Sequence, residues 1–236
     1  MRKIIISGCS GSMGSYLLEY YKKKKYKVIG LDINSPKIKG VDFYRVDLLN
    51  LKKLQNIYKK ILKKYNKVNI LINAAGLIHN ELFLNASRSF KTHNYNNWKK
   101  VFKNNVDITF INSKIFIDTF INNFSEDKII INFSSVNSSG IIGQSAYSSA
   151  KAAIETFTKV LSKELSSLNF RVACISPGYF NLKSTLKNVN KKNLEKIIEN
   201  IPVRKLGNVK DIAHAIDFII KTKYFNGKIL NLDGGK

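Results

Sequence analysis

Hydrophobic residues recur along this chain in short, nearly continuous runs that are separated by longer amphipathic stretches. Six of these runs are strand-like: "KIIIS" (3–7), "KVIGLD" (27–32), "NILINAA" (69–75), "KIIINFS" (128–134), "FRVACIS" (170–176) and "KILNLD" (228–233). Apolar strands that alternate with helices indicate a parallel sheet with both faces covered. We therefore predict a single α/β domain over residues 1–236, a doubly wound parallel sheet of about seven strands with helices on both faces.

The composition narrows the class of protein. With 236 residues and 44% hydrophobic content, the chain can bury a substantial core. Apolar runs stay well short of the ~20 residues of a membrane span, and "MRKIIISG" leads directly into the first strand, so we expect a cytoplasmic protein without a membrane partner. Cys9 and Cys174 fit packed, reduced thiols. The histidines His79, His93 and His214 lack metal-ligand spacing, so no metal site is expected.

The formal charge of +24 raises the question of a nucleic-acid partner. Of the 40 basic residues only five are Arg, and the 35 Lys are spread through nearly every helical stretch, as in "IYKKILKKYNK" (57–67). Recognition of bases and phosphates usually relies on Arg side chains and clustered patches. We therefore interpret the lysines as solvated helix faces and expect no nucleic-acid partner, although a basic surface would attract acidic partners.

A glycine-rich turn follows the first strand. In "SGCSGSMG" (7–14) three glycines precede a helical stretch, "SYLLEYY". Glycine permits a tight turn and close approach of the backbone to a pyrophosphate, and the N-terminus of the next helix offers unpaired amides to it. This pattern predicts a Rossmann-like dinucleotide site; its cofactor-binding residues are expected to be Gly8, Ser10, Gly11, Ser12, Met13 and Gly14.

Asp32 ends the second strand, 18 residues beyond Gly14, where a ribose-binding acid is expected. Its carboxylate would accept hydrogen bonds from the ribose hydroxyls and would repel a 2′-phosphate. We therefore expect NAD(H) to be preferred. NADP(H) stays open, because Lys37 and Lys39 lie nearby in the sequence.

Tyr147 and Lys151 form the second candidate for chemistry. In "AYSSAK" (146–151) they stand four residues apart among small residues, so on a helix both would point into one open space. A neighbouring positive charge favours the ionised phenol and is expected to lower the pKa of Tyr147, which suits a group that exchanges a proton. Taken alone, the pair is also compatible with a solvated helix surface.

The motifs form an ordered series along the chain: "SGCSGSMG" with Asp32, Asp47 in "RVDL", "NAAG" (73–76), Asn105 in "WKKVFKNNVDITF", "NFSS" (132–135), "YSSAK" (147–151), "SPG" (176–178) and "NLDGG" (231–235). In this order and spacing they resemble the short-chain dehydrogenases/reductases, and the resemblance covers essentially the whole chain. It implies an NAD(P)(H)-dependent enzyme that acts on CH–OH groups. It also implies a homotetramer or homodimer with a small-molecule substrate.

The resemblance implies a role for each catalytic candidate. Tyr147 would exchange a proton with the substrate oxygen, and Lys151 would tune it and hold the nicotinamide ribose. Ser135, rather than Ser134, would hydrogen-bond the reacting oxygen. Asn105 would support a proton relay to Lys151, with the adjacent Asn104 as the alternative. Further cofactor contacts are implied for Asp47, Leu48, Asn73, Ala74, Gly76, Pro177 and Gly178.

The first glycine turn departs from the family pattern. The single-domain branch usually has Gly-x-x-x-Gly-x-Gly in the first turn, whereas Ser12 occupies the position of the middle glycine. Ser12 would either replace a backbone contact to phosphate with a hydroxyl contact or weaken cofactor binding. The glycine spacing alone matches the extended branch, but only 89 residues follow Tyr147, and "SPG" and "NLDGG" are present. Length and motifs therefore favour the single-domain branch.

Two variable segments bear on the substrate: "LIHNELFLNASRSFKTHNYNN" (77–97) and "YFNLKSTLKNVNKKNLEKIIENIP" (179–202). Their polar residues suggest a small hydroxylated substrate such as a sugar or nucleotide sugar. The alternative is a 3-oxoacyl-acyl-carrier-protein reductase using NADPH, whose acidic carrier protein would suit a basic surface. A third hypothesis is a non-catalytic protein that senses dinucleotides or binds nucleic acid.

Overall fold

The computed structural model describes residues 2–87, 90–122, 126–182 and 191–236, with residues 191 and 192 as backbone only. Its strands are β1 (Lys3–Ser7), β2 (Lys27–Asp32), β3 (Asp42–Arg45), β4 (Ile70–Asn73), β5 (Leu84–Asn85), β6 (Lys91–Thr92), β7 (Lys128–Phe133), β8 (Phe170–Pro177) and β9 (Ile229–Leu232). Its α-helices are α1 (Ser12–Lys23), α2 (Leu51–Tyr65), α3 (Tyr95–Phe102), α4 (Ile108–Phe120), α5 (Ser145–Leu165), α6 (Lys191–Glu199) and α7 (Val209–Lys221). A π-helical turn, Lys103–Asp107, joins α3 to α4.

Seven parallel strands form one sheet in the order β3-β2-β1-β4-β7-β8-β9, which confirms the predicted fold class. All six apolar runs are strands of this sheet. The remaining strand, β3, reads "DFYR" and is only half-buried, so the hydrophobic pattern did not mark it. The chain leaves β1 toward β2 on one side and reaches β4 on the other. In such sheets ligands bind where the strand order reverses, at the carboxyl ends of the strands.

The alternation of side chains along β1 divides the core between the two faces of the sheet. Ile4 and Ile6 are fully buried on the face covered by α1 and α7, and Ile5 is fully buried on the face covered by α2 and α4. Both faces of this strand are therefore apolar, as expected for a central strand of a parallel sheet. The lysines of α2 lie on its outer face and are exposed, whereas Leu54, Tyr58 and Ile61 are buried.

Arg171 joins β8 to the end of α7. Its guanidinium forms a bidentate pair with Asp127, with Nε and Nη2 each 3.0 Å from a carboxylate oxygen. Nη1 donates to the carbonyls of Ile219, Thr222 and Phe225 at 2.9–3.2 Å. Carbonyls at the end of a helix lack intrahelical donors, so this buried guanidinium takes the place of a helix cap.

We expect Arg171→Met to lower the free energy of unfolding by about 3–5 kcal/mol, because it leaves buried carbonyls without donors. Chemical denaturation measures this change. The matched control is Lys114→Met, which removes an exposed pair with Asp118 and should cost less than about 1 kcal/mol. Equal effects of the two substitutions would show that the hydrogen bonds of Arg171 do not stabilise the fold.

Among the described residues, no helix is both long enough and apolar enough to cross a membrane. The two cysteines, Cys9 and Cys174, are buried as free thiols.

Candidate active site

The glycine turn between β1 and α1 is built for close backbone approach. Gly8 has a φ of +69°, and a Cβ there would lie 2.6 Å from the backbone of Ala75. A Cβ on Gly14 would lie 2.1 Å from the Gly8 carbonyl oxygen. Both positions therefore require glycine, because real side chains do not tolerate such contacts. The turn packs tightly against the loop that follows β4.

The N-terminus of α1 faces this turn without a capping side chain. Gly11 occupies the N-cap position, and the first helical turn carries no acidic residue. The amides that begin a helix lack intrahelical acceptors and favour a bound anion. Ser12 is the first residue of α1, so its amide belongs to this set. The side chain of Met13 packs against the core, which leaves only its backbone as a possible cofactor contact.

A cleft of about 310 Å³ opens beside the turn, at the carboxyl ends of β1, β2 and β4. Its lining includes eight of the residues for which cofactor contacts were expected: Gly8, Ser10, Gly11, Asp32, Asp47, Leu48, Ala74 and Gly76. The other lining residues are Ile33, Asn34, Ala75, Asn104 and Ile108. The site expected from sequence is therefore largely gathered in one place. Residues that fit a dinucleotide are present: free helix amides at one end and an acid at the other.

The Asp32 carboxylate is fixed by two backbone amides. Oδ2 accepts from the Ser10 amide at 2.9 Å, and Oδ1 accepts from the Asn34 amide at 3.0 Å. The carboxylate thus links the glycine turn to the loop after β2 while lining the cleft. Arg45 lies alongside, and its Nε donates to the Ile33 carbonyl at 2.8 Å. Arg45 pairs with Asp32 in the sheet register, and this cation is additional to Lys37 and Lys39, which the sequence places nearby.

Asn73 is not among the residues that line the cleft, and the cofactor contact expected for it stays a prediction. Its side chain is buried, where Nδ2 donates to Asn132 at 2.9 Å and to Ser113 at 3.0 Å, and Oδ1 accepts from Asn112 at 2.7 Å. Asn112 in turn accepts from the Tyr58 hydroxyl at 2.7 Å. Buried polar groups must be paired, so Asn73 holds the strand ends together beneath the site.

Tyr147 and Ser135 meet near the carboxyl end of β7. Tyr147 lies in the first turn of α5 and is buried, and the Ser135 side chain hydrogen-bonds its phenol. Burial raises the pKa of Tyr147 to about 12; the Ser135 hydrogen bond lowers it, and the Tyr179 phenol raises it further. This direction is opposite to the expectation from the Tyr–Lys spacing, because desolvation is the largest effect and Lys151 is not among the groups that shift this pKa.

Lys151 lies one turn further along α5, with its Nζ 5.6 Å from the centre of the Tyr147 ring. The side chain is buried, and Nζ donates to the Phe133 carbonyl at 2.9 Å. Burial lowers the pKa of Lys151 to about 8, with a small opposing effect from Cys174. The two side chains share one buried space, as their spacing predicted.

Asn105 lies in the π-helical turn that joins α3 and α4, and it is fully buried. Its Nδ2 donates to the carbonyls of Val101 and Leu77, both at 2.9 Å. A Cβ on Gly76 would lie 2.9 Å from Asn105 Oδ1 and 3.7 Å from Lys151 Nζ. Asn105 and Lys151 therefore meet under the loop after β4. Asn104, the alternative, is half-buried and lines the cleft.

Ser134 faces away from Tyr147. Its hydroxyl donates to Glu155 Oε1 at 2.6 Å, and Ser138 donates to the same oxygen at 2.7 Å. Glu155, which sequence reasoning did not single out, thus anchors the loop that carries Ser135. Its signal was available, since Glu155 follows Lys151 at i+4 on the same helix face.

Pro177 and Gly178 end β8 outside the cleft described above. The Gly178 amide donates to the Leu232 carbonyl at 2.7 Å, and a Cβ there would lie 2.8 Å from Asp233. The turn is thus pressed against the end of β9. Part of the second variable segment, residues 183–190, lies outside the described residues, so the structure does not bear on its expected role above the substrate.

Two of the three histidines are close together although their sequence spacing gave no sign of it. His79 and His93 both approach Glu81, because the short hairpin of β5 and β6 folds His93 back toward the loop after β4. Sequence spacing missed this cluster because its members are 14 residues apart and are joined only by the hairpin.

A family model described as short chain dehydrogenase matches residues 2–194. Curated relatives are 3-oxoacyl-acyl-carrier-protein reductases. The enzyme of Buchnera aphidicola subsp. Baizongia pistaciae is 29% identical over 98% of this chain and 95% of its own length. The human enzyme is 26% identical over 98% of this chain and 95% of its own length.

Solved structures share the fold over nearly the whole chain. A short chain dehydrogenase from Leptospira borgpetersenii with bound NAD⁺ is 26% identical, with a TM-score of 0.87 over 99% of this chain and 92% of its own. A 4-hydroxyisoleucine dehydrogenase complexed with NADH is 26% identical, with a TM-score of 0.85 over 100% of this chain and 98% of its own. An aldohexose dehydrogenase from Thermoplasma acidophilum, 24% identical with a TM-score of 0.87 over 99% of this chain and 93% of its own, shares the fold.

Proposed function

Since this chain belongs to the short-chain dehydrogenase/reductase family and is thereby an NAD(P)-dependent oxidoreductase acting on CH–OH groups, we propose that it interconverts a secondary alcohol and a ketone with NAD(H). The observation that carries the cofactor preference is the Asp32 carboxylate, which is held by two backbone amides at the wall of the cleft. A fixed carboxylate there accepts from ribose hydroxyls and disfavours a 2′-phosphate. Two related structures contain NAD⁺ or NADH.

Different residues of the cleft would bind different parts of the dinucleotide. The amides at the start of α1, with Gly8 and Gly11, would receive the pyrophosphate. Asp47 and Leu48 would flank the adenine, and Ala74 and Gly76 would form the floor. When bound, the cofactor donates a hydride to the ketone carbon or accepts one from the alcohol carbon.

Tyr147 is the proposed proton carrier. In the reductive direction its hydroxyl gives a proton to the developing alkoxide, and in the oxidative direction the phenolate accepts one from the alcohol. Ser135 lies beside the phenol, and its hydroxyl would donate to the reacting oxygen once substrate is bound. The buried ammonium of Lys151 stabilises the phenolate, and Asn105 supports the Lys151 end of the site.

For the substrate, we propose a small hydroxylated molecule such as a sugar or nucleotide sugar. The loop before α5 carries a chain of amides: Gln144 Nε2 donates to Asn80 at 2.7 Å, and Asn137 donates to Gln144 Oε1 at 3.0 Å. Gln144 comes three residues before Tyr147. Amide groups near the reacting tyrosine supply the donors and acceptors that a hydroxylated ligand needs.

A second candidate substrate is a 3-oxoacyl group on an acyl carrier protein. The curated relatives carry that name, and several apolar side chains of the loops near the site are exposed: Ile78, Leu82, Phe83, Ile141 and Ile142. An apolar rim on a protein with a charge of +24 suits an acidic carrier with an acyl chain.

Turnover assays separate these candidates. Purified protein is titrated with NADH and NADPH by fluorescence and then assayed with sugar nucleotides, simple secondary alcohols and 3-oxoacyl thioesters. Turnover of a sugar-type substrate with NAD(H) supports the first proposal, and NADPH-dependent reduction of a 3-oxoacyl thioester supports the second. Binding of neither nucleotide would contradict both proposals and also a dinucleotide-sensing role, which would leave nucleic-acid binding from the third hypothesis.

We expect Asp32→Ala to shift the cofactor preference toward NADP(H) by tenfold or more, because it removes one direct charge contact, and removing a hydrogen bond to a charged group costs about 1.5–3 kcal/mol. The ratio of kcat/KM for the two cofactors measures this shift. Arg45→Met is the matched variant, since it removes the neighbouring cation and should shift the ratio toward NAD(H). An unchanged ratio in Asp32→Ala would contradict the assignment of the ribose pocket.

We also propose a homotetramer or homodimer. Phe110 of α4 is exposed and packs against the half-buried Phe157 of α5, with ring centres 5.8 Å apart, and Val160 is exposed one turn further on. These helices flank β7, and exposed apolar patches of this kind mark subunit contacts. Light scattering after size-exclusion chromatography measures the assembly.

A further inference from the structure

His79, Glu81 and His93 form a compact cluster beside the loop that leads into α5. Their potential ligand atoms all lie within 4.8 Å of one another. Glu81 Oε2 is 2.9 Å from His79 Nε2 and 3.6 Å from His93 Nε2. His79 lies in the loop after β4, and His93 directly follows β6.

These separations match a zinc coordination sphere. Ligand atoms at 2.0–2.1 Å from a tetrahedral zinc ion are roughly 3.3 Å apart. The two measured separations lie on either side of that value, so small side-chain rotations would complete the triangle. We propose that His79, Glu81 and His93 bind a zinc ion, with a water molecule as the fourth ligand. Two imidazoles and one carboxylate with an open position form a known zinc donor set.

The hydrogen bonds of His93 support a cation at this place. Its Nδ1 lies 3.0 Å from the Asn94 carbonyl, which can only accept a hydrogen bond. Nδ1 is therefore the donor in this contact, and Nε2 is the ring nitrogen on the side of the Glu81 carboxylate, 3.6 Å from Oε2. A zinc ion would bind His93 through this Nε2.

Groups around the cluster orient the carboxylate as outer-shell partners do in metal sites. Glu81 Oε1 accepts from the Asn94 amide at 3.0 Å, and Oε2 accepts from Asn97 Nδ2 at 2.9 Å. His93 is largely buried, which shields one side of the site from water.

The cluster also connects two segments that border the active site. The Glu81 amide donates to the Gly143 carbonyl at 2.7 Å, and Glu81 forms an isolated bridge with Gln144. Asn94 caps α3 through its side chain. Zinc would therefore fasten the loop after β4 to the start of α3 and to the entry of α5. This site stands independently of the proposed cofactor and substrate.

Calorimetric titration tests the proposal with metal-stripped protein that carries no polyhistidine tag. We expect one zinc ion per chain, and we expect His79→Ala and His93→Ala each to weaken the affinity by 100-fold or more. His214→Ala is the matched control: His214 is the third histidine of the chain, is exposed on α7 and packs beside Tyr20, and its removal should leave binding unchanged. Cobalt(II) should give the intense visible absorption of a tetrahedral site in the unaltered chain and in the control.

Several results would overturn the proposal. The unaltered chain failing to bind zinc, or zinc affinity that survives both histidine substitutions, would show that the cluster is only a hydrogen-bonded carboxylate. Equal loss in His214→Ala would show surface binding. Glu81→Gln, which keeps an acceptor for the Asn94 amide, provides a milder variant should an alanine variant fail to fold. Circular dichroism checks the fold of each variant, and NADH titration separates this test from that of the cofactor site.

Discussion

Tyr147→Phe is expected to lower turnover by roughly 10²–10⁴-fold, because it removes the hydroxyl that exchanges a proton with the substrate oxygen. The ring itself stays, and it packs in a small apolar cluster with Val101, Ala146 and Ala150. NADH affinity should therefore change little. Steady-state kcat together with a fluorescence titration of NADH measures both quantities on one preparation.

Tyr224→Phe is the matched control for this prediction. Tyr224 is fully exposed, so losing its hydroxyl should leave kcat within experimental error. If Tyr147→Phe retained turnover, the proton-transfer role would be wrong. If it lost NADH binding together with turnover, the phenol would be a cofactor contact, and the defect could not be assigned to the chemical step.

Lys151→Met is expected to lower turnover by about 10²–10³-fold and to raise the melting temperature at neutral pH. In the proposed mechanism the ammonium, 5.6 Å from the centre of the Tyr147 ring, stabilises negative charge on the phenol oxygen, and charges in water-poor sites have effects of this size. Burial also lowers the pKa of Lys151 to about 8, so holding its charge at neutral pH costs a few kcal/mol of stability. Met fills similar space without that cost.

The pH dependence of stability follows from the same shift. The unfolded chain holds the Lys151 proton up to its ordinary pKa, whereas the folded chain loses it near pH 8. Between about pH 8 and pH 10.5 the unfolded state binds more protons, so this group makes stability rise with pH. The melting temperatures of the variant and the unaltered chain should therefore converge above pH 8. A variant that melts lower throughout would contradict the buried charge.

The sheet could be predicted from the sequence because its strands are buried on both faces. Burial on both faces demands continuous apolar residues, and such runs stand out against lysine-rich helices. The edge strand β3 has one neighbour and half-buried side chains, so nothing in its composition marked it. The pairing of β1 with both β2 and β4 then placed the cleft, since the order reverses there.

Some features of the site could be predicted from the sequence, and others could not. The glycines of the turn after β1 and the acid Asp32 could be located from sequence, because a tight turn and the end of a strand leave few alternative positions for them. The internal hydrogen bonds of Asn73 could not be predicted, since an amide at a strand end serves equally as a ligand contact or as an internal hydrogen-bonding group. The direction of the pKa of Tyr147 depended on burial, which the spacing to Lys151 does not reveal. The histidine cluster depended on a hairpin of two-residue strands, which is too short for a pattern to show.

The π-helical turn at Lys103–Asp107 has a consequence for insertions and deletions in this chain. It contains one more residue than an α-helical path of the same span, and each helical residue advances the side chains by about 100°. Deleting one residue here would restore ordinary α geometry and rotate one flanking helix by that angle relative to the other. Asn105 would then turn away from the loop over Lys151 although its neighbours in sequence stay the same. The active site thus depends on the phase of the helix as well as on the identity of its residues.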